Sequence, residues 1–254
     1  MEELREKLAQ LYQFAGKHSQ YQILPKIAQN MIGRTFTQTK PRFEEERLRF
    51  ILENYNPLGK RILDIGGNIG FFTLEMAVRG AKQVVYYEGN ETCQTFVEML
   101  VKLLDLEDKI SIRKTYFPFD DPPREQCDLV LLLNVLHHIG DDFGSKNMNR
   151  IHAKRKILDY LNILSAHTSY LVFQMGFCWK GNRNLLLFQH GTKAEMIEYI
   201  CKGTEKHWRV VTIGIPEKDG EKVMYRPLNK NNIHRDDALG EFLNRPLFIL
   251  EAKR

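Results

Sequence analysis

Residues Leu63 to Ala77 read LDIGGNIGFFTLEMA, and Val84 to Asn90 read VVYYEGN. A short apolar run, a glycine-rich turn, a helical pattern and a second apolar run closing on an acid form a strand–helix–strand unit with a ligand-binding turn. The spacing of the glycines restricts the ligand. A loop that cradles phosphates in the GxxxxGK[ST] manner needs a lysine, and this turn has none. A dinucleotide fingerprint needs glycines at its first, third and sixth positions. Counted from Gly66, the third is Asn68 and the sixth is Phe71, so that reading fails as well. The pattern left is acid-x-Gly-x-Gly-x-Gly with one replacement, read as Asp64, Gly66, Asn68 and Gly70. Asparagine is the residue that, after glycine, best tolerates a left-handed backbone.

The alternation continues outward from this turn. RILDIG is a strand and FFTLEMAVRG a helix ended by Gly80; KQVVYYEG is a second strand. In ETCQTFVEMLVKLLDL, Phe96, Val97, Leu100, Val101 and Leu104 share one helical face. KISIRKTYF reads as a third strand. CDLVLLLNVL reads as a fourth, apolar enough to be covered on both faces, with Asp128 just before it. RKILDYLNIL is a helix and SYLVFQMG a fifth strand. Beyond Gly176, FCWKGNRNLLLFQHG is loop-like, TKAEMIEYICKG helical and HWRVVTIGI a strand. EKDGEKVMYRPLNKNNIHRDD reads as a long polar connection to a last strand, RPLFILEAK, and two such late strands suit an antiparallel edge. The fold expected is α/β, a doubly wound Rossmann-like sheet, mostly parallel with an antiparallel late strand, which binds ligands outside the carboxyl ends of its strands. Before it, Glu2 to Phe14 and PRFEEERLRFILENY, with Pro41 at its start, read as helices. The expected organisation is an N-terminal helical cap over 1–59 and a core over 60–254 with a loop-rich C-terminal part.

The 254 residues are 43% hydrophobic and 27% charged, as in an ordinary globular protein. No apolar run reaches membrane-spanning length, and the amphipathic N-terminus has no signal-peptide core. The four cysteines, Cys93, Cys127, Cys178 and Cys201, are scattered and form no CxxC pair. They argue for reduced thiols in a cytoplasmic protein and against a zinc site. A net charge of +5 permits an anionic acceptor without indicating nucleic acid.

Taken together, these motifs resemble the class I S-adenosylmethionine-dependent methyltransferases, from about Lys60 to Gly176. The resemblance implies that the loop meets the methionine end of S-adenosyl-L-methionine, which has no phosphate and so requires no lysine. Gly66, Gly67, Asn68, Gly70 and Phe71 would line that approach, with Asp64 near the cofactor's amino group. Glu88, followed by Gly89, matches the acid that accepts hydrogen bonds from both ribose hydroxyls, which a carboxylate does well. A solvated acid in a turn is the alternative. The acid that often holds the adenine in this family has no clean match: Asp120 or Asp121 could serve or belong to a turn, and Tyr116 and Phe117 fit the core better than adenine packing. Asn134 ends the fourth motif, and LHHI continues into the loop where the family brings cofactor and acceptor together.

His137 and His138 are the candidate catalytic residues, as a base for an alcohol acceptor or as support for an anionic one. Two adjacent side chains on one turn cannot both point inward. Only Asp141 and Asp142 lie close enough to complete a metal set, so no metal is expected. The candidates for acceptor contacts are His18, Tyr21, Lys40, Arg42, Arg183 and His190. A looser resemblance of the loop, of VLHHI and of the late RPLFIL strand points to bacterial O-methyltransferases that modify sugars or surface polysaccharides, including some acting on phosphate groups. It implies O-methylation of a polar sugar- or phosphate-bearing small molecule or surface glycan precursor, giving S-adenosyl-L-homocysteine. A methyltransferase modifying tRNA or other RNA is the runner-up, although NVLHH stands where many base-methylating enzymes carry (N/D)PP(Y/F). An inactive methyltransferase-fold binding subunit is the non-enzyme alternative, and the intact Asp64, Gly66, Gly70 and Glu88 set speaks against it.

Overall fold

The computed structural model describes residues 2–13, 21–32 and 42–254. The chain forms two compact units, Met1–Leu48 with Asn56–Phe117, and Arg49–Tyr55 with Pro118–Arg254.

The first unit opens with helices α1 (Glu2–Gln13) and α2 (Lys26–Ile32) and the first turn of α3 (Glu44–Asn54). Helix α2 has no counterpart in the sequence reading, which passed over ILPKIAQNMIG. Helix α3 begins later than expected and Pro41 lies outside the described residues. Its start is fixed by Glu44, whose carboxylate accepts the Arg42 N–H at 2.8 Å, and three glutamates in the first turn suit the positive end of the helix dipole. Strands β1 (Arg61–Ile65), β2 (Gln83–Tyr87) and β3 (Ile110–Arg113) follow, with α4 (Phe71–Val78) between the first two and α5 (Glu91–Leu103) between the last two. They pair in parallel in the order β3-β2-β1. The third strand stops at Arg113, four residues short of Phe117, because Lys114 to Tyr116 are exposed while Phe117 turns under to meet the Tyr87 ring edge-on. Asn90 caps α5 by accepting the Cys93 N–H at 3.0 Å.

The second unit carries β4 (Cys127–Leu133), α6 (Arg150–Leu164), β5 (Thr168–Gln174), α7 (Lys193–Thr204), β6 (Trp208–Asp219), β7 (Lys222–Pro227) and β8 (Leu247–Ala252). The strand order is β4-β5-β8-β6-β7. Leu129 to Leu132 of β4 are wholly buried, as their unbroken apolar run requires, and Asp128 lies inside that strand rather than before it. β8 runs antiparallel between β5 and β6, placing two sequence-distant strands side by side.

The supposed polar connection contains β7, which makes a hairpin with β6 through the two-residue loop Gly220-Glu221, closed by the Asp219–Lys222 pair, with Gly220 at φ 58°. A glycine at the first position of a two-residue loop is a hairpin signal, and it was hidden by the charged residues of an exposed edge. The fold is the expected α/β, Rossmann-like class, mostly parallel with an antiparallel edge, although two late strands run against the others instead of one. Among the described residues no helix is long and apolar enough to cross a membrane.

Candidate functional site

In the first unit the glycine loop leaves the carboxyl end of β1 and is latched to the end of β2. The N–H groups of Gly66 and Gly67 donate to the Tyr87 carbonyl at 2.8 and 3.2 Å. Gly67 must be glycine: a Cβ there would lie 2.6 Å from the Tyr86 ring and 2.9 Å from the Asp64 carboxylate. Asn68 adopts φ 52°, the left-handed conformation its identity suggests, and its carbonyl accepts from the Tyr86 hydroxyl. Gly70, at φ 81°, is the N-cap of α4, and a Cβ there would press on Val97 of α5 at 3.0 Å.

Three acids and amides define what this loop offers. Glu88 follows β2 directly. Its Oε2 accepts the Asn68 N–H at 2.9 Å and its Oε1 accepts the Asn90 N–H at 2.8 Å. The carboxylate is thus fixed between the loop and the cap of α5. Asp64 is turned the other way, buried against the Thr73 hydroxyl at 2.6 Å. Burial pushes its pKa up to about 6, and the Glu88 charge adds to the shift. Phe71 buries its ring in the core, and its amide N–H, the first of α4, faces the side-chain oxygen of Gln22 at 3.4 Å. Gln22 is itself held by the Tyr12 hydroxyl, which donates to its carbonyl at 2.8 Å.

Sequence reading missed Gln22, because nothing in HSQYQ marks which polar residue turns inward. Gly89 lies under the Tyr116 ring, so close that a Cβ would meet it at 2.3 Å. Tyr116 is 46% exposed and therefore is no core residue, unlike Phe117. Tyr21 and Arg42 are brought together, the guanidinium 4.8 Å above the ring. His18 and Lys40 lie outside the described residues.

In the second unit, Asn134 follows the last residue of β4, Leu133, at φ 63°. Its N–H donates to the Gln174 carbonyl at 2.7 Å, its Nδ2 donates to Gln174 Oε1 at 3.2 Å and its Oδ1 accepts from Arg245 Nη1 at 2.7 Å. The side chain is therefore engaged inside the unit. Arg245 is gripped by both oxygens of Glu241, with Nε at 3.0 and 3.1 Å and Nη2 at 2.6 Å. Glu241 Oε1 also accepts the Phe177 N–H at 3.2 Å. Neither Glu241 nor Arg245 was singled out in the sequence, although EFLNR has the i, i+4 spacing of an ion pair.

The two histidines differ in burial although their ring centroids lie only 4.2 Å apart. His137 is 3% exposed and its Nδ1 accepts the Gly176 N–H at 3.2 Å. Burial, then the Arg245 guanidinium and His138, holds its pKa well below the usual histidine range. His138 is partly exposed, its Nδ1 3.6 Å from Asp142 Oδ2. His138, Asp141 and Asp142 form a group with ligand-type atoms within 4.8 Å of one another.

The chain after β5 is a small hairpin, with Trp179 N–H on the Leu185 carbonyl at 2.7 Å and Leu187 N–H on the Phe177 carbonyl at 2.8 Å. Trp179 Nε1 ties it to the Ile139 carbonyl at 2.7 Å, beside the histidines. Arg183 is exposed in its turn, whereas His190 lies beyond it, its N–H on Glu195 at the start of α7. Asp120 pairs with Lys156 at 2.7 Å and with the Tyr160 hydroxyl at 3.1 Å.

Residues 36–162, half of the chain, match the profile of a family described as a methyltransferase domain. The chain belongs to this methyltransferase-domain family. No curated protein matches it by sequence. Among solved structures, the methyltransferase domain is similar to WbdD, with 15% identity and a TM-score of 0.54 over 87% of this chain and 43% of that one. The chain thus spans less than half the length of WbdD. It is also similar to a protein from Listeria monocytogenes described as an S-adenosylmethionine-dependent methyltransferase, with 14% identity and a TM-score of 0.50 over 83% of this chain and 99% of that one. At these identities the likeness is one of fold.

The residues present fit the methyl donor of such a family. Asn68 Oδ1 is buried and has no hydrogen-bond partner among the described residues. Beside it stands the Glu88 carboxylate, fixed by two amides.

Proposed function

We propose that this methyltransferase-domain protein uses S-adenosyl-L-methionine to O-methylate a polar, sugar- or phosphate-bearing small molecule or a surface glycan precursor. The observation that carries the donor assignment is the Glu88 carboxylate, held at 2.9 and 2.8 Å by the amides of Asn68 and Asn90. A carboxylate fixed in this way is pre-organised to accept two vicinal hydroxyls, at no further cost in side-chain ordering. When bound, the sulfonium supplies the methyl group, and its carbon–sulfur bond breaks as the acceptor's bond to carbon forms. The protein's own contribution is alignment. Gly66, Gly67 and Gly70 leave the backbone bare, Asn68 and Glu88 present acceptors, and Gln22 covers the first amide of α4.

Support for the acceptor class is the looser resemblance of the loop, the VLHHI segment and the RPLFIL strand to sugar- and polysaccharide-modifying O-methyltransferases. The net charge of +5 suits an acceptor that carries an anion. Tyr21, Arg42, Arg183 and His190 are its proposed contacts.

Two experiments test the reading. Titration calorimetry with S-adenosyl-L-methionine and S-adenosyl-L-homocysteine should show binding to the folded protein, and absence of heat with either would sink the enzyme assignment. Transfer of labelled methyl groups into fractionated cell extract should label the glycan or sugar-phosphate fraction. Label in RNA would replace that acceptor class with nucleic acid.

A further inference from the structure

We infer that the two adjacent histidines divide the work: His137 is a fixed hydrogen-bond donor through Nε2, whereas His138, oriented by Asp142, takes the proton from a hydroxyl acceptor. The inference rests on the O-methyltransferase reading and assigns each ring a distinct role within it.

The first half follows from counting protons. A neutral imidazole has one N–H, and the Gly176 amide donates to Nδ1 of His137 at 3.2 Å, so the ring proton is on Nε2. A nitrogen already carrying a proton cannot remove one. A second proton would make the ring cationic in a place where it is 3% exposed, with the Arg245 guanidinium beside it. Among the described residues, the charged or titratable groups that act on His137 are Arg245 and His138. Arg245 is held in that place by Glu241 and Asn134, and both it and His137 lie where a Cβ on residue 176 would sit, a space glycine leaves to them.

The second half follows from the turn after it. The His138 carbonyl accepts the amides of Asp141 and Asp142 at 3.0 and 3.2 Å, and Gly140, at φ 82°, lets the chain fold back. That returns the Asp142 carboxylate to 3.6 Å from His138 Nδ1. A carboxylate on one ring nitrogen fixes the tautomer with the proton on that side and makes the other nitrogen, Nε2, the proton acceptor. The distance is that of an electrostatic contact, longer than a hydrogen bond, so the carboxylate acts on the ring through its charge. The groups around His138 are His137 at 4.2 Å between ring centroids, Asp141 and Asp142 on its own turn, and the hairpin residue Gly181, next to Lys180.

In the step itself the acceptor's O–H bond breaks and its proton goes to Nε2 of His138. The oxygen forms its bond to the methyl carbon, and the electron pair of the broken carbon–sulfur bond stays on sulfur, leaving a neutral thioether. Asp142 touches none of the reacting atoms and is a positioning residue.

Ring nitrogen NMR of the 15N-labelled free protein between pH 5 and 9 tests both halves without substrate. His137 should remain a neutral Nε2–H tautomer across the range. His138 should titrate, and Asp142→Asn should move its midpoint to lower pH while Asp142→Glu restores it. A titrating or Nδ1-protonated His137, or a His138 midpoint indifferent to Asp142→Asn, overturns the assignment. Calorimetry on the same samples reports separately whether the methyl donor binds, so a failure of the enzyme reading is told apart from a failure of the ring assignments. With the labelled-methyl assay, His138→Gln should lower the rate at least ~100-fold and abolish its rise with pH. His137→Gln should lower the rate and preserve that rise. The reverse pattern gives the proton-accepting role to His137.

Discussion

The Gly176 amide donates to Nδ1 of His137 at 3.2 Å, and a Cβ on Gly176 would lie 3.0 Å from that ring and 2.9 Å from Arg245 Nη2. One glycine therefore sets the tautomer of a buried histidine and the approach of a guanidinium at once. Gly176→Ala should force one of them aside and destabilise the protein by about 1–3 kcal/mol, the usual range for overpacking a filled site. Urea unfolding of both proteins checks it. An unchanged midpoint would show that the site has slack the close contacts do not suggest.

Glu88 joins two segments twenty-two residues apart in sequence, accepting one amide from the loop at Asn68 and one from the helix cap at Asn90. Glu88→Ala should weaken S-adenosyl-L-methionine binding by tenfold or more in calorimetry, since both hydroxyl acceptors are lost. Glu88→Gln is the sharper variant. Its NH2 group must face one of the two backbone N–H donors, so it should also cost stability, by about 1–2 kcal/mol. A glutamine variant with wild-type affinity and stability would mean that Glu88 is not the residue that holds the ribose.

The sequence revealed the loop because a glycine pattern between two apolar runs is local, and its one departure, Asn68, adopts the left-handed backbone that asparagine tolerates. β1, β2 and β4 were legible for the same reason. What could not be read depends on contacts between distant segments. Nothing in RPLFIL says that β8 inserts between β5 and β6, which is a matter of sheet pairing. Nothing local marks Gln22 as the residue facing Phe71, forty-nine positions on. Arg245 reaches Asn134 across a hundred and eleven positions. β7 was lost for a different reason: on an exposed edge the charged residues outweighed the apolar alternation of Val223 and Tyr225. The histidine pair lay between these cases. Its location was readable, but which ring turned inward depended on Gly176 and Arg245.

Asp64 gives a pH-dependent prediction. Burial raises its folded-state pKa to about 6, above an ordinary aspartate, so the folded protein holds this proton over a range in which the unfolded chain has released it. The site's stabilising contribution is complete below about pH 4 and is lost as the pH rises through about 6. Asp64→Asn cannot ionise and lacks this loss. The stability of the variant relative to wild type should therefore improve between pH 4 and 7, by roughly 3 kcal/mol for a shift of about two units. Urea denaturation of both proteins at several pH values measures it. A difference that stays flat with pH would place the Asp64 pKa near its ordinary value and the carboxylate in contact with water.

Glu241 and Arg245 supply the last test, because each is the other's principal partner and both reach residues near the histidines. Arg245→Met leaves the Glu241 carboxylate and Asn134 Oδ1 without the guanidinium that now satisfies them. Glu241→Gln leaves a half-buried guanidinium short of its counter-charge and weakens the acceptor for the Phe177 amide. Each single change should destabilise by about 2–4 kcal/mol, since removing one partner of a largely desolvated pair costs more than the pair is worth. The double variant should lose less than the sum of the two, with a coupling of about 1–3 kcal/mol in a double-mutant cycle followed by urea unfolding. The same set separates packing from charge. Arg245→Lys keeps the charge but cannot span both oxygens of Glu241 and Asn134 Oδ1 together, so it should resemble Arg245→Met more than wild type. Strict additivity, or a lysine variant of full stability, would show that the pair is no more than a surface contact and that Asn134 keeps its left-handed conformation without it.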